Sequence, residues 1–115
     1  MKRIEAIIAS EKIDAVNEAL KGAGVGGATI LDAKGRGRGD KPRVAGGRGT
    51  SSHVAEFSTR ACVITVVNDG DVDKIVKAIV DAASTGAAGD GKVFISSVGE
   101  AVDIGSKKRS QTSLV

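Results

Sequence analysis

Hydrophobic positions recur along the chain with two periods, and the alternation between them occurs twice. Arg3-Ile-Glu-Ala-Ile-Ile8 reads as a strand, and Glu11–Lys21 reads as a helix because Ile13, Val16 and Leu20 fall at i, i+3 and i+7. Glycines between Gly22 and Gly27 end it, and Ala28–Ala33 returns as a second strand. The order then repeats. Phe57–Val67 is a long run rich in Val, Thr and Ile, and Asp71–Ala83 places Val72, Ile75, Val76, Ile79 and Val80 on one helical face. Asp69 or Asp71 is the expected cap of that helix, and Lys92–Val98 supplies a fourth strand. Strand-helix-strand twice over predicts an α+β, ferredoxin-like βαββαβ sandwich with a long loop between strands 2 and 3.

Composition sharpens this to one domain, residues 1–115, of ordinary polarity, with 41% hydrophobic and 27% charged residues. Only Phe57 and Phe94 are aromatic, so Val, Ile and Ala must fill the core. A small domain of small side chains gains by burying further surface against copies of itself, so a homo-oligomer is expected. No apolar run approaches the ~20 residues a membrane helix needs, and Glu5 follows the basic start too closely for a signal peptide. A cytoplasmic protein without membrane insertion is expected. The lone Cys62, in a strand-like run, reads as a small buried hydrophobe.

Chemistry concentrates in two loops. Gly86–Lys92 has the G-x-x-x-x-G-K spacing of a phosphate-binding loop, in which glycines let backbone N–H groups converge on an anion. A Walker ATPase is nevertheless excluded: Val93 stands where a Mg²⁺-binding hydroxyl belongs, and the loop joins helix to strand. The second loop, 36–56, has no periodicity and is the expected interaction element. Within 35–60, Arg36, Arg38, Lys41, Arg43, Arg48 and Arg60 face only Asp40 and Glu56, whereas the whole chain carries +3. Arginines on such a loop suit phosphates or acidic protein surface. With no aromatic residue interleaved, nucleic-acid binding loses its main support. The single histidine, His53, lies in the long loop, and no nucleophile-base-orienter set exists around it. No enzyme activity and no metal site of the protein's own are expected.

Met1–Ile8, Lys12–Val16 with Ala19-Leu20, Lys34-Gly-Arg-Gly-Arg38 and Thr85-Gly-x-x-Gly-Asp-Gly-Lys-Val-Phe94 together resemble the PII nitrogen-regulatory signalling proteins, over about residues 1–38 and 57–102. The resemblance implies a homotrimer whose inter-subunit clefts bind ATP or ADP as regulatory ligands, with Mg²⁺ accompanying ATP. It also implies nitrogen regulation through docking of loop 36–56 on a target such as an ammonium transporter or a nitrogen-assimilation enzyme. Carried over by position, nucleotide contacts fall on Ile7, Thr29, Gly35, Arg36, Gly37, Arg38, Val66, Gly89, Asp90, Gly91 and Lys92, and a carboxylate-bearing effector would meet Arg60. Ser51 and Ser52 lie where some relatives are phosphorylated.

Three departures qualify the resemblance. Gly39 replaces the glutamine that helps hold Mg²⁺ and 2-oxoglutarate, which argues against sensing of that metabolite, with Asp40 the one nearby substitute. The long loop is two residues longer than usual and lacks the tyrosine that many relatives modify. Asp103-Ile-Gly105 stands where the family has R-x-R, so either Lys107-Lys-Arg109 of an expected flexible tail, 103–115, folds back to the phosphates, or nucleotide preference differs. The alternative function is accordingly a PII-like variant that senses AMP, ADP or bicarbonate and docks on a target other than a transporter.

Overall fold

The computed structural model describes residues 1–37, 43–45, 52–54 and 57–112, with the two short segments described as backbone alone. Strand β1 (Lys2–Ala9) leads to helix α1 (Ile13–Gly22) and strand β2 (Thr29–Gly35). The short β3 (Arg43–Ala45) and β4 (Ser52–Val54) pair antiparallel within the long connection. Strand β5 (Ser58–Val67), helix α2 (Val72–Ala83) and strand β6 (Gly91–Ser97) follow, and β7 (Ala101–Val102) pairs with β8 (Arg109–Ser110). The main sheet has the order β2-β5-β1-β6 and is antiparallel throughout. Each helix connects two strands that have a third between them, which is the ferredoxin-like arrangement expected from the sequence.

Alternation decides which face each residue occupies. Ile4, Ala6 and Ile8 of β1 pair with Thr65, Val63 and Ala61 of β5, and all six are buried beneath Val16 and Leu20 of α1 and Ile75, Ile79 and Ala83 of α2. Thr65 is tolerated there because its hydroxyl donates to the Gly27 carbonyl at 2.8 Å. The opposite face bears Arg3, Glu5, Ile7, Cys62, Ile64, Val66, Lys92 and Phe94, and no helix among the described residues covers it.

Helix α1 ends as its glycines predict: Gly24 has φ +88°, Val25 N–H donates to the Leu20 carbonyl at 3.0 Å, and Gly24 N–H donates to Lys21 at 3.1 Å. Entry into α2 differs from expectation. Neither Asp69 nor Asp71 makes a side-chain cap; a 3₁₀ turn over Asp69–Asp71 takes the chain into the helix, and the Asp69 carboxylate pairs with the Met1 ammonium at 3.2 Å. The apolar face is also rotated slightly. Val80 is 45% exposed and Ala83 is buried in its stead, continuing the i, i+4, i+8 row of Ile75 and Ile79.

The segment read as a flexible tail from residue 103 carries regular structure up to Ser110. Asp103 accepts Ser106 N–H at 2.8 Å and donates its own N–H to Lys108 at 2.9 Å, closing the β7–β8 ribbon, and Arg109 pairs with Glu100 at 2.6 Å. Local side-chain-to-backbone bonds of this kind build a turn without hydrophobic periodicity.

Candidate functional site

The glycine loop between α2 and β6 is ordered by its own aspartate. Asp90 accepts the Thr85 hydroxyl at 2.5 Å, the Thr85 N–H at 2.7 Å and the Gly86 N–H at 2.9 Å, while its own N–H donates to Ala87 at 3.2 Å. The Thr85 hydroxyl, and after it the Thr85 amide, hold the Asp90 carboxyl below the usual carboxylate range. Asp90 therefore builds the loop in this chain; a carboxylate so occupied, and negative, is a poor phosphate ligand. Gly86 takes φ +85°. Among the described residues, no backbone partner takes the Ala88 or Gly89 amide, so the loop keeps donors for an anion.

Gly91 starts β6 at φ +122°, with its Cα lying against the Ile7 carbonyl. Its glycine is a requirement of the strand crossing. Lys92 then falls opposite Ile7, on the uncovered face, and Ile7 in turn is opposite Cys62. Cys62 is buried, and desolvation, reinforced by its contact with the Glu5 carboxylate at 3.5 Å, pushes its thiol up; it behaves as the small hydrophobe expected.

Arg60 joins this loop to the end of β2. Its Nη1 donates to the Gly89 carbonyl at 2.5 Å, its Nε donates to Ser58 Oγ at 3.1 Å, and Ser58 Oγ donates to the Gly35 carbonyl at 3.3 Å. Gly35, Arg60, Gly89, Asp90 and Gly91 are thus brought together, with Ile7 and Lys92 beside them. Thr29 and Val66 are not. Val66 is six positions from Arg60 on the same face of β5, which at ~3.3 Å per residue is about 20 Å away, and Thr29 pairs with its neighbour Ile64. Arg36 and Gly37 are exposed just beyond Gly35. Arg38 and Ser51, like Gly39 and Asp40, lie outside the described residues, and Ser52 is described in its backbone only.

Comparison with known proteins identifies the family. The family profile described as "Nitrogen regulatory protein P-II" matches residues 1–108. Proteins named nitrogen regulatory protein P-II from Rhizobium meliloti and from Synechocystis are 42% and 43% identical over 104 residues, 90% of this chain and 91% of each relative. A "Nitrogen regulatory protein P-II 2" from Methanothermobacter thermautotrophicus is 43% identical over 90% of the chain and 89% of its own length.

The chain belongs to the P-II family.

P-II proteins are signalling regulators of nitrogen metabolism and not enzymes. Within this P-II fold, two residues given no role by sequence reasoning prove structural to the site. Thr85 supplies two of the three bonds to Asp90, a relation its position ahead of the glycines signals. Ser58 bridges Arg60 to Gly35, and only the register of Gly35 opposite Ser58 reveals it. No helix among the described residues is long and apolar enough to cross a membrane.

Proposed function

We propose that this P-II protein senses adenylate nucleotides, ATP or ADP, in clefts formed between copies of the chain in a homotrimer. Binding there would govern docking of loop 36–56 on a nitrogen-assimilation enzyme or ammonium transporter. The observation that carries the reading is the division of the candidate residues into two groups. The Ala88 and Gly89 amides and the Gly35 corner sit at one end of the uncovered face with Lys92 further in, and Thr29 and Val66 lie toward the other end, six positions or about 20 Å along their strands from Gly35 and Arg60 respectively. One chain does not close a nucleotide pocket from parts so placed; the two ends meet when a second copy packs alongside. The uncovered face favours such packing, because Leu31 and Phe94 are 51% and 54% exposed there.

In this arrangement Lys92 and Arg38 supply positive charge to the phosphates, Ala88 and Gly89 supply N–H donors, and Ile7, Thr29 and Val66 line the base and ribose. Ligand occupancy at the Gly35 corner biases loop 36–56, whose ends lie at Gly35 and Ser58. Gly39, in place of a side-chain oxygen donor, favours a nucleotide-only response over one needing a keto-acid.

Calorimetric titration with ATP, ADP and AMP, with and without Mg²⁺, tests the reading. Saturable binding at one site per chain supports it; no heat with any of the three overturns it.

A further inference from the structure

The geometry points to Arg60 as a positioning residue, a strap that couples the glycine loop to the neck of the long loop. The coupling rests on the reading that loop 84–90 binds phosphate; the strap itself does not.

Gly35 and Ser58 are cross-strand partners at the last rung between β2 and β5, so they form the neck through which loop 36–56 leaves the sheet and returns. The Ser58 hydroxyl donates to the Gly35 carbonyl and accepts from Arg60 Nε, and the same guanidinium reaches across to the Gly89 carbonyl. One planar fork thus bonds to both structures through two nitrogens held in fixed geometry. The Arg60 stem runs along Gly35, where a Cβ would lie 3.2 Å from Arg60 Cγ, and its Nη2 lies 3.7 Å from the Cβ position of Gly89. Gly35 therefore leaves space that the strap occupies, whereas at Gly89 a Cβ would make only ordinary contact with it. A phosphate that draws the Ala88 and Gly89 amides toward itself moves the carbonyl on which Arg60 is anchored, and the displacement is passed to Ser58 and Gly35. Lysine at this position keeps the charge but lacks the pair of fixed nitrogens, Nε for Ser58 and Nη1 for Gly89, by which the guanidinium holds both structures at once.

Hydrogen exchange of the full-length protein tests this. Without ligand, Arg60→Lys is expected to raise exchange about tenfold across 85–91, the scale of losing one hydrogen bond to a charged group, and to raise it at 35–37, with α2 and β1 unchanged. Ser58→Ala is expected to raise exchange chiefly at 35–37. With saturating ADP, the native protein gains protection at both 85–91 and 35–37, whereas Arg60→Lys gains it at 85–91 only. Unaltered exchange at 85–91 in ligand-free Arg60→Lys, or a uniform rise that includes β1, overturns the strap. Equal ADP protection at 35–37 in both proteins overturns the coupling. If the native protein binds no ADP, the nucleotide reading and the coupling fail together, and the ligand-free comparison still decides the strap.

Discussion

Gly91 crosses Ile7 at a separation that leaves no room for a side chain: a Cβ on Gly91 would collide with the Ile7 carbonyl oxygen, and the residue holds φ +122°. Strain and collision act together. Gly91→Ala is expected to cost at least about 2 kcal/mol, read as a lowered midpoint in denaturant melts. Gly37, with nothing within 4 Å of its Cβ position, is the control. Gly37→Ala should stay within about 0.5 kcal/mol of the native protein, so that any effect it has on nucleotide affinity reports on ligand approach.

Asp90 gives the glycine loop a defined response to acid. Its folded-state pKa is lowered, so the order it confers is fully present above the ordinary carboxylate value and is lost as pH falls through the folded value, below the usual range. The loop should therefore be insensitive to pH near neutrality. NMR chemical shifts of the Thr85 and Gly86 amides, followed on acidification, check this; a midpoint at or above the ordinary aspartate value would contradict it. Asp90→Asn should perturb the same amides at every pH.

The proposed site gives the phosphates to Lys92 and Arg38. Lys92 is exposed on β6, and Lys92→Ala should weaken ADP and ATP binding by roughly 1.5–3 kcal/mol without lowering thermal stability. Arg38→Ala should act in the same direction. Unchanged nucleotide affinity in both variants would contradict the site.

2-Oxoglutarate should bind weakly or not at all while adenylate binding persists. Gly39 has no side-chain oxygen for Mg²⁺, and the Arg60 guanidinium already bonds to Gly89 and Ser58. Calorimetry in the presence of Mg-ATP checks this. Tight keto-acid binding would make Asp40 the first substitute ligand to mutate.

Self-association should depend on the uncovered face. Phe94 stands there opposite Glu5, more than half exposed, so an acidic substitution leaves the monomer core untouched. Light scattering should show a trimer for the native protein and smaller species for Phe94→Asp. A native protein that stays monomeric at micromolar concentration would remove the basis for clefts between copies.

Much of the fold was legible because period and burial coincide. Ile4, Ala6 and Ile8 alternate and are buried, and Val16 and Leu20 recur at helical spacing and are buried. What escaped was decided by competition that spacing does not encode. Asp69 resembles a cap, yet the Met1 ammonium, far away in sequence, takes its carboxylate. Val80 fits the helical face as well as Ala83 does, and packing buries Ala83 in line with Ile75 and Ile79 while leaving Val80 half exposed. The β7–β8 ribbon has two-residue strands, too short for any period to register. In the site, the glycine loop and Lys92 stood out by spacing. The role of Asp90 did not, since a carboxylate among glycines reads equally as ligand or as scaffold, and the Arg60–Gly89 bond joins residues 29 positions apart.

The pairing of Gly35 with Ser58 has a consequence for how such a protein can diversify. The chain leaves the sheet after Gly35 and rejoins it at Ser58, adjacent backbone positions, so the length between them is nearly irrelevant to the stability of the body: each doubling of a loop's length costs only about 0.6 kcal/mol in closure entropy. The insert can be lengthened, recomposed or exchanged while the sheet and its two helices stay as they are. Under the proposed docking role, one body is in this way readdressed to new recipients by changing a single stretch of chain.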